Sequence, residues 1–185
     1  RPTGGRALDI GCGPGQIVLK LAQRLPGWQF TGLDRSANMV REVLSARDEL
    51  ARREHGDLAS RVQVFVGDGM ELPFADASID LVLCNSVLHH LNAPRKVFAE
   101  MVRVAAPGAA ILLRDLRRPS RLAYPLHVRW HGRHYSGLMY KLYCDSVRAA
   151  YTREELAGLL GDSPLRNARI FTLGRTHLGF ECAAE

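Results

Sequence analysis

Long apolar runs are missing from this 185-residue chain: no uninterrupted stretch approaches the ~18 residues that suggest a membrane-spanning helix. The pattern of a secretory leader is also absent. Lysine is scarce, with three (Lys20, Lys96, Lys141) against 22 arginines, a skew that genomic base composition produces without any functional cause. The four cysteines (Cys12, Cys84, Cys144, Cys182) lie far apart and form no C-x-x-C pair. Reduced, buried thiols in a cytoplasmic protein are therefore expected. There is no internal repeat, no low-complexity segment and no G-x-x-x-x-G-K-[ST] phosphate loop.

What is present is an ordinary globular composition, 46% hydrophobic and 24% charged, in a chain long enough for one domain with a full core. The formal charge of +6 hints at an acidic partner without identifying one. The chain opens at Arg1 without Met, a few residues before a predicted buried strand, so a preceding segment is expected.

Strand and helix signals alternate through the first 116 residues. Arg6–Ile10 reads as a strand, and Gln16–Leu25 as a helix stopped by Pro26-Gly27. Trp28–Asp34 is a second strand, and Ser36 caps a helix with its apolar stripe at Met39, Val40, Val43, Leu44 and Leu50. Arg61–Val66 and Ile79–Cys84 are further strands, the latter apolar enough for a sheet covered on both faces. A helix over Pro94–Ala106, ended by Pro107-Gly108, leads to the strand Ala109–Leu113. This alternation predicts a doubly wound α/β fold with a mostly parallel sheet. From Arg114 to Ala150 no clean periodicity is seen. Thr152-Arg153-Glu154-Glu155 is a capping box, and Asn167–Leu173 with Thr176–Cys182 predicts a terminal antiparallel hairpin.

The stretch "LDIGCGPG" places Gly11, Gly13 and Gly15 directly after the first strand. The dinucleotide fingerprint is G-x-G-x-x-G/A, and here the last glycine comes one position early. Asp9, Asp34 and Asp68 stand at the ends of three successive strands. Three carboxylates around one crevice repel a pyrophosphate, so a nicotinamide oxidoreductase is disfavoured. They suit a cofactor that carries an ammonium and a sulfonium but no phosphate.

With these residues in view, the chain resembles the class I S-adenosylmethionine-dependent methyltransferases, of the small-molecule, type 11/25-like kind. The matching segments are "LDIGCGPG", "TGLDRSANMV", "GDGMELPF", "IDLVLCNSVLHHL" and "VFAEMVRVAAPGAAILLRDL". They fall in the family's order across residues 6–116, and "DSVRAAYTREELAGLL" matches more loosely. The resemblance implies a Rossmann-like, seven-stranded sheet with a terminal antiparallel strand. It divides a single 1–185 domain into a cofactor-binding core (6–116), a lid or acceptor-site insertion (117–151) and a final helix and hairpin (152–185). It implies S-adenosylmethionine as cofactor. Gly11, Cys12, Gly13 and Gly15 would lie along its methionine part and Asp9 would face the ammonium. Asp34 would accept both ribose hydroxyls, in the segment that also supplies Arg35 and Met39. Asp68 would take the adenine amino group, Gly69 and Met70 would pack on the ring, and Asn85 would lie at the sulfonium edge.

The expected reaction is an in-line methyl transfer to a small-molecule acceptor, catalysed mainly by positioning. A base is needed only for an acceptor that arrives protonated, and His89 and His90 are the candidates, with a structural or cofactor-contacting role as the alternative. The segment 114–134 holds Arg114, Arg117, Arg118, Arg121, Arg129 and Arg133, with His127, His131 and His134, against one acid, Asp115. A metal is not expected there, since no carboxylate or Cys accompanies the imidazoles. Tyr124, Trp130, Tyr135, Tyr140 and Tyr143 offer surface to a planar acceptor, so an anionic or aromatic molecule is expected. An RNA methyltransferase using the basic segment and a non-catalytic cofactor-binding protein stand as alternatives. No N/D-P-P-Y-type motif follows "IDLVLC", which disfavours base N-methylation, and nucleic acid is not an expected partner.

Overall fold

The computed structural model describes residues 3–54 and 57–184. Seven strands form one sheet: β1 (Gly5–Ile10), β2 (Trp28–Asp34), β3 (Val62–Val66), β4 (Ile79–Asn85), β5 (Ala105–Leu116), β6 (Arg169–Leu173) and β7 (His177–Ala183). Their order is β3-β2-β1-β4-β5-β7-β6, parallel throughout except for β7, which runs antiparallel to both neighbours. The predicted hairpin is present, but its second strand is the inner one. β7 pairs along β5 from Ala110↔Ala183 to Leu116↔His177, which is why β5 continues past Leu113.

Side-chain alternation along each strand assigns the helices to two faces. Leu8 and Ile10 of β1 join Val82, Cys84, Ile111 and Leu113 in one fully buried cluster, together with Phe98 and Met101 of α4 (Pro94–Val104) and Leu156 and Leu160 of α7 (Arg153–Gly161). Phe98 meets Phe180 of β7 edge to face, with ring centroids 5.4 Å apart. Ala7 and Phe30 point the other way, onto Val18, Leu19 and Ala22 of α1 (Gln16–Arg24) and Val40 and Val43 of α2 (Ala37–Glu54). Thr152 caps α7 with both halves of the capping box: its Oγ1 accepts from Glu155 N–H at 3.2 Å, and its own N–H donates to Glu155 Oε2 at 2.8 Å.

Three local expectations are corrected. Arg61 ends a short helix, α3 (Leu58–Arg61), instead of opening the third strand. Its buried guanidinium pairs with Asp57 and donates to the carbonyls of Ala22, Leu25 and Trp28, closing the last turn of α1 onto β2. Pro107-Gly108 does not separate helix from strand: the helix ends at Val104, and the pair lies inside β5, where the register with β4 shifts beyond Ile79↔Ala105. The segment that shows no periodicity holds two helices, α5 (Tyr124–His131) and α6 (Gly137–Ala149), joined by a small cluster of Val128, Cys144 and Val147.

The chain steps outward from β1 to β2 and β3, then crosses back to enter β4 on the opposite side of β1. In an open α/β sheet, ligands bind at such a reversal, beyond the carboxyl ends of the strands. The site lies there.

Candidate active site

The loop after β1 is tied to the end of β2. Leu33 C=O accepts from Gly11 N–H at 2.7 Å and from Cys12 N–H at 3.1 Å, while Gly13 N–H donates to Asp34 Oδ2 at 2.9 Å. Gly11, Gly13 and Gly15 all have positive φ. At Gly11 a Cβ would stand 2.3 Å from Val87 Cγ2, so a side chain is excluded by contact as well as by conformation. At Gly13 nothing lies within 4 Å, so the backbone there faces open space.

That space is a cleft of about 340 Å³ lined by Asp9, Gly11, Cys12 and Gly13, by Gln16 and Ile17 of α1, and by Asn85 and Ser86 at the end of β4. The N-terminus of α1 has no side-chain cap and no acidic residue in its first turn. Its free N–H groups and dipole favour a carboxylate in the cleft. Asp9 is 3% exposed and its Oδ2 has no hydrogen-bond partner. Burial, then the charge of Asp34, push its carboxyl up to about 7. An unpartnered buried carboxylate is costly unless a cation or donor meets it. An α-amino acid, anion toward α1 and ammonium toward Asp9, satisfies both ends, so the cleft fits the methionine part of the implied cofactor. The same burial, with Asp9 and Asp34 nearby, raises the Cys12 thiol to about 12, so it stays protonated.

Asp34 and Asp68 stand outside this cleft, at the ends of neighbouring strands where Asp34 pairs with Val66. Asp34 Oδ1 accepts from Ser36 N–H at 2.8 Å, which leaves each oxygen one further lone pair for a hydroxyl. Asp68 Oδ1 accepts from Met70 N–H at 2.9 Å, and Oδ2 lies 3.7 Å from Nε of the exposed Arg35. Gly69 is buried against Ile10, while Met39 and Met70 are half-buried. The loop carrying these groups is held from α4: Leu72 N–H donates to Glu100, and Arg103 reaches Leu72 O, Phe74 O and Asp76.

A second cleft, about 600 Å³, adjoins the first at Ser86. Ser86 has φ of 58°, strained for a side-chain-bearing residue, and its N–H donates to Arg114 C=O at 2.8 Å. Asn85 Oδ1 accepts from Arg114 Nη1 at 2.9 Å. Walls of the second cleft include His89, His90, His177, Tyr135, Tyr143 and Ser146. The His89 side chain is nearly buried, its Nδ1 2.7 Å from Oδ1 of the buried Asp115, and Asp115 Oδ2 accepts from His89 N–H at 3.0 Å. His90 is exposed; partial burial and the adjacent His89 ring hold its pKa below the ordinary value. Burial and Arg114 do the same to His177.

In the sequence, Asp115 stands only as the lone acid of a basic stretch. Its partnership with His89, like that of Arg114 with Asn85, joins β5 to residues 26 and 29 positions earlier, and no local pattern announces it. Of the five aromatics, Tyr135 and Tyr143 line the second cleft, with ring centroids 5.2 Å apart. Tyr124 instead donates to Cys144 C=O, Tyr140 packs with Val128, and Trp130 is 62% exposed. None of the six arginines of 114–134 lines that cleft; Arg118 and Arg121 border a separate groove with Arg148. Among the described residues, no group of three or more His, Cys, Asp or Glu is placed to hold a metal, and no helix is long and apolar enough to cross a membrane.

The family model described as "Methyltransferase domain" matches residues 8–113, which covers the glycine loop, all three strand-end acids and Asn85. The chain is 34% identical over 119 residues to a demethylmenaquinone methyltransferase of Roseiflexus sp., covering 64% of this chain and 45% of that protein. It thus spans less than half of that relative's length. A demethylmenaquinone methyltransferase of Bacillus velezensis is 30% identical over 193 residues, covering 96% of this chain and 80% of the relative. The crystal structure of a SAM-dependent methyltransferase from Aquifex aeolicus superposes with a TM-score of 0.71 at 18% identity, covering 98% of this chain and 82% of that one, a likeness of fold. Family model, relatives and topology agree: the chain belongs to the class I S-adenosylmethionine-dependent methyltransferase family.

Proposed function

We propose that the protein transfers a methyl group from S-adenosylmethionine to a small-molecule hydroxyl acceptor, aromatic in preference to anionic, in the cytoplasm. The observation that carries this reading is the pair of clefts meeting at Ser86, one holding an unpartnered carboxylate and the other the His89–Asp115 pair. In this reading Asp9, Gly11, Cys12, Gly13, Gly15 and Asn85 hold the methionine end of the cofactor. Asp34, Arg35, Met39, Asp68, Gly69 and Met70 hold its adenosine end. Residues 117–151 act as the lid over the acceptor, between the core of 6–116 and the closing elements of 152–185.

When bound, the cofactor supplies an electrophilic methyl carried on a sulfonium. The chain's own contribution is alignment and deprotonation. With a carboxylate at Nδ1, the His89 ring carries its proton there and presents Nε2 as the acceptor. An acceptor hydroxyl in the second cleft gives its proton to Nε2, the resulting imidazolium is stabilised by Asp115, and the oxygen is left with a free lone pair. His90, its ring tilted against that of His89 at 4.0 Å between centroids, lines the acceptor's path. Tyr135 and Tyr143 favour a planar acceptor, and the absence of cleft-lining arginine removes the ready partner for an anion.

Calorimetry with S-adenosylhomocysteine, followed by labelled methyl transfer to pooled phenols, enols and alcohols, tests this. Cofactor binding together with alkali-stable O-methyl product is expected. Product labelled at nitrogen or carbon would overturn the hydroxyl assignment, and failure to bind S-adenosylhomocysteine would overturn the whole reading.

A further inference from the structure

The charge of this chain is not spread over it. Residues 116–144 contain Arg117, Arg118, Arg121, Arg129, Arg133 and Lys141 and no Asp or Glu, and the other 19 basic residues are matched by all 19 acidic ones. The whole formal charge of +6 therefore sits on α5, α6 and the turn before them. Among the described residues, seven of the ten exposed large apolar side chains lie in the same stretch, among them Leu122 (95% exposed), Leu126 (72%), Trp130 (62%) and Leu138 (70%).

Helical spacing explains how both helices present apolar groups on two sides. Val128 of α5 and Cys144 and Val147 of α6 face inward and are buried against each other. Leu126 and Trp130 are four apart on α5, Leu138 and Leu142 four apart on α6, and all four are exposed. Arg121, Arg129, Arg133 and Lys141 are exposed among them. Among the described residues none of these four is in a salt bridge, whereas the neighbouring Arg118 and Arg148 pair with Glu155 and Asp145. Arg133 stacks over the Trp130 ring at 5.2 Å and donates to its carbonyl, holding the indole at the surface.

We propose that α5 and α6 dock this protein onto an anionic lipid bilayer. Leucine, methionine and tryptophan on an outer face flanked by arginine and lysine suit the boundary between acyl chains and headgroups, where the apolar groups are buried and the cations meet phosphates. Charge complementarity sets this partner apart from the others. A second copy docked on the same face would bring its four exposed, unpaired cations against the same four, which is repulsive. RNA would match the charge but leave Leu122, Leu126, Leu138 and Met139 against a hydrated backbone, since its stacking surfaces call for aromatics. Tyr135, Met139 and Leu142 both line the second cleft and are exposed, so its mouth opens on this face. Docking stands independently of the methyl-transfer reading. Delivery of a lipid-soluble acceptor through that mouth rests on it.

The test is co-sedimentation of the intact chain with phosphatidylcholine vesicles, with and without phosphatidylglycerol. Trp130 emission is followed alongside, and the Trp130→Phe variant identifies its share of the signal. Binding confined to the anionic vesicles and a blue shift of Trp130 are expected. Arg129→Glu with Arg133→Glu should weaken binding by about 25-fold or more, at about fivefold per cation. Leu126→Ser with Trp130→Ser should weaken it by tenfold or more. The thermal shift given by S-adenosylhomocysteine should persist in both variants, which separates lost docking from lost folding or a failed cofactor site. Equal binding to neutral vesicles, no binding to either, insensitivity to both variants, or a dimer or RNA complex that protects Trp130 in place of lipid would each overturn the proposal.

Discussion

The cofactor side and the α5–α6 side of this molecule are built on opposite plans. Around β1 to β4, chemistry sits at strand ends: Asp9, Asp34 and Asp68 each lie at or one residue from the last position of a strand or in the loop that follows it. Their surroundings are closed, with Asp9 buried and the loop of residues 67–78 clamped by Glu100 and Arg103. Across α5 and α6 Leu126, Trp130, Leu138 and Leu142 point outward, and among the described residues Arg129, Arg133 and Lys141 stand exposed without a salt bridge. The first region is arranged to hold a small charged molecule in a fixed place. The second is arranged to meet something larger than itself. What joins them is the pair of clefts that share Ser86.

Substitutions that act on one side and spare the other test that division. The largest effect is expected from His89→Ala, which should cut methyl transfer by about 10²–10⁴-fold while leaving S-adenosylhomocysteine affinity near that of the parent chain. Asp115→Asn should fall between the parent chain and His89→Ala, since it keeps the shape but no longer fixes the ring's proton at Nδ1. Equal loss of cofactor affinity in either variant would show that the clefts are not separable. Next, Asp34→Ala should weaken cofactor binding by about 10–100-fold, the scale of hydrogen bonds to a charged group. Circular dichroism should show the fold retained, and unchanged affinity would remove Asp34 from the ribose site.

A smaller, pH-dependent effect is expected at Asp9. Its folded-state pKa of about 7 lies above the unfolded value of 3.8, so the ligand-free fold loses stability as pH rises from 3.8 towards 7 and no further beyond it. An ammonium ligand needs the ionised form, so cofactor affinity should fall by up to about tenfold per unit as pH drops below 7. Asp9→Asn should raise the melting temperature of the free protein at pH 8 and flatten the affinity profile; a steep profile in that variant would assign the titration to another group. The smallest effect belongs to a position on neither side. Thr152→Ala removes the cap of α7 and should cost about 1 kcal/mol in denaturant unfolding without altering affinity or transfer.

The same division decides how much of the molecule was legible in the sequence. The cofactor side could be read because its signals are local: a glycine loop follows a strand, an acid ends a strand, and Ser36 precedes a helix that it caps. The sheet's covered faces made β1, β2 and β4 readable nearly to the residue. Asp115 was not readable as a partner of His89, because the pairing of β4 with β5 brings them together and nothing adjacent to either records it. Nor were α5 and α6, since their outward apolar residues fill in the stripe that would have betrayed an inner face. Arg61 misled for a related reason: a buried arginine that ties down three carbonyls looks, in sequence, like the polar start of a strand.

The inner position of β7 carries a consequence for how the chain is made. Until residues 177–183 have left the ribosome, β5 has no partner on one side, and the places filled by Leu178 and Phe180 stay open beside Phe98. A nascent chain stalled before that point presents a long, apolar strand edge, the kind of template on which chains aggregate. Synthesis of this protein should therefore depend more on the emergence of β7 than on any earlier element, and the release of residues 177–183 from the ribosome marks the moment at which β5 can be covered.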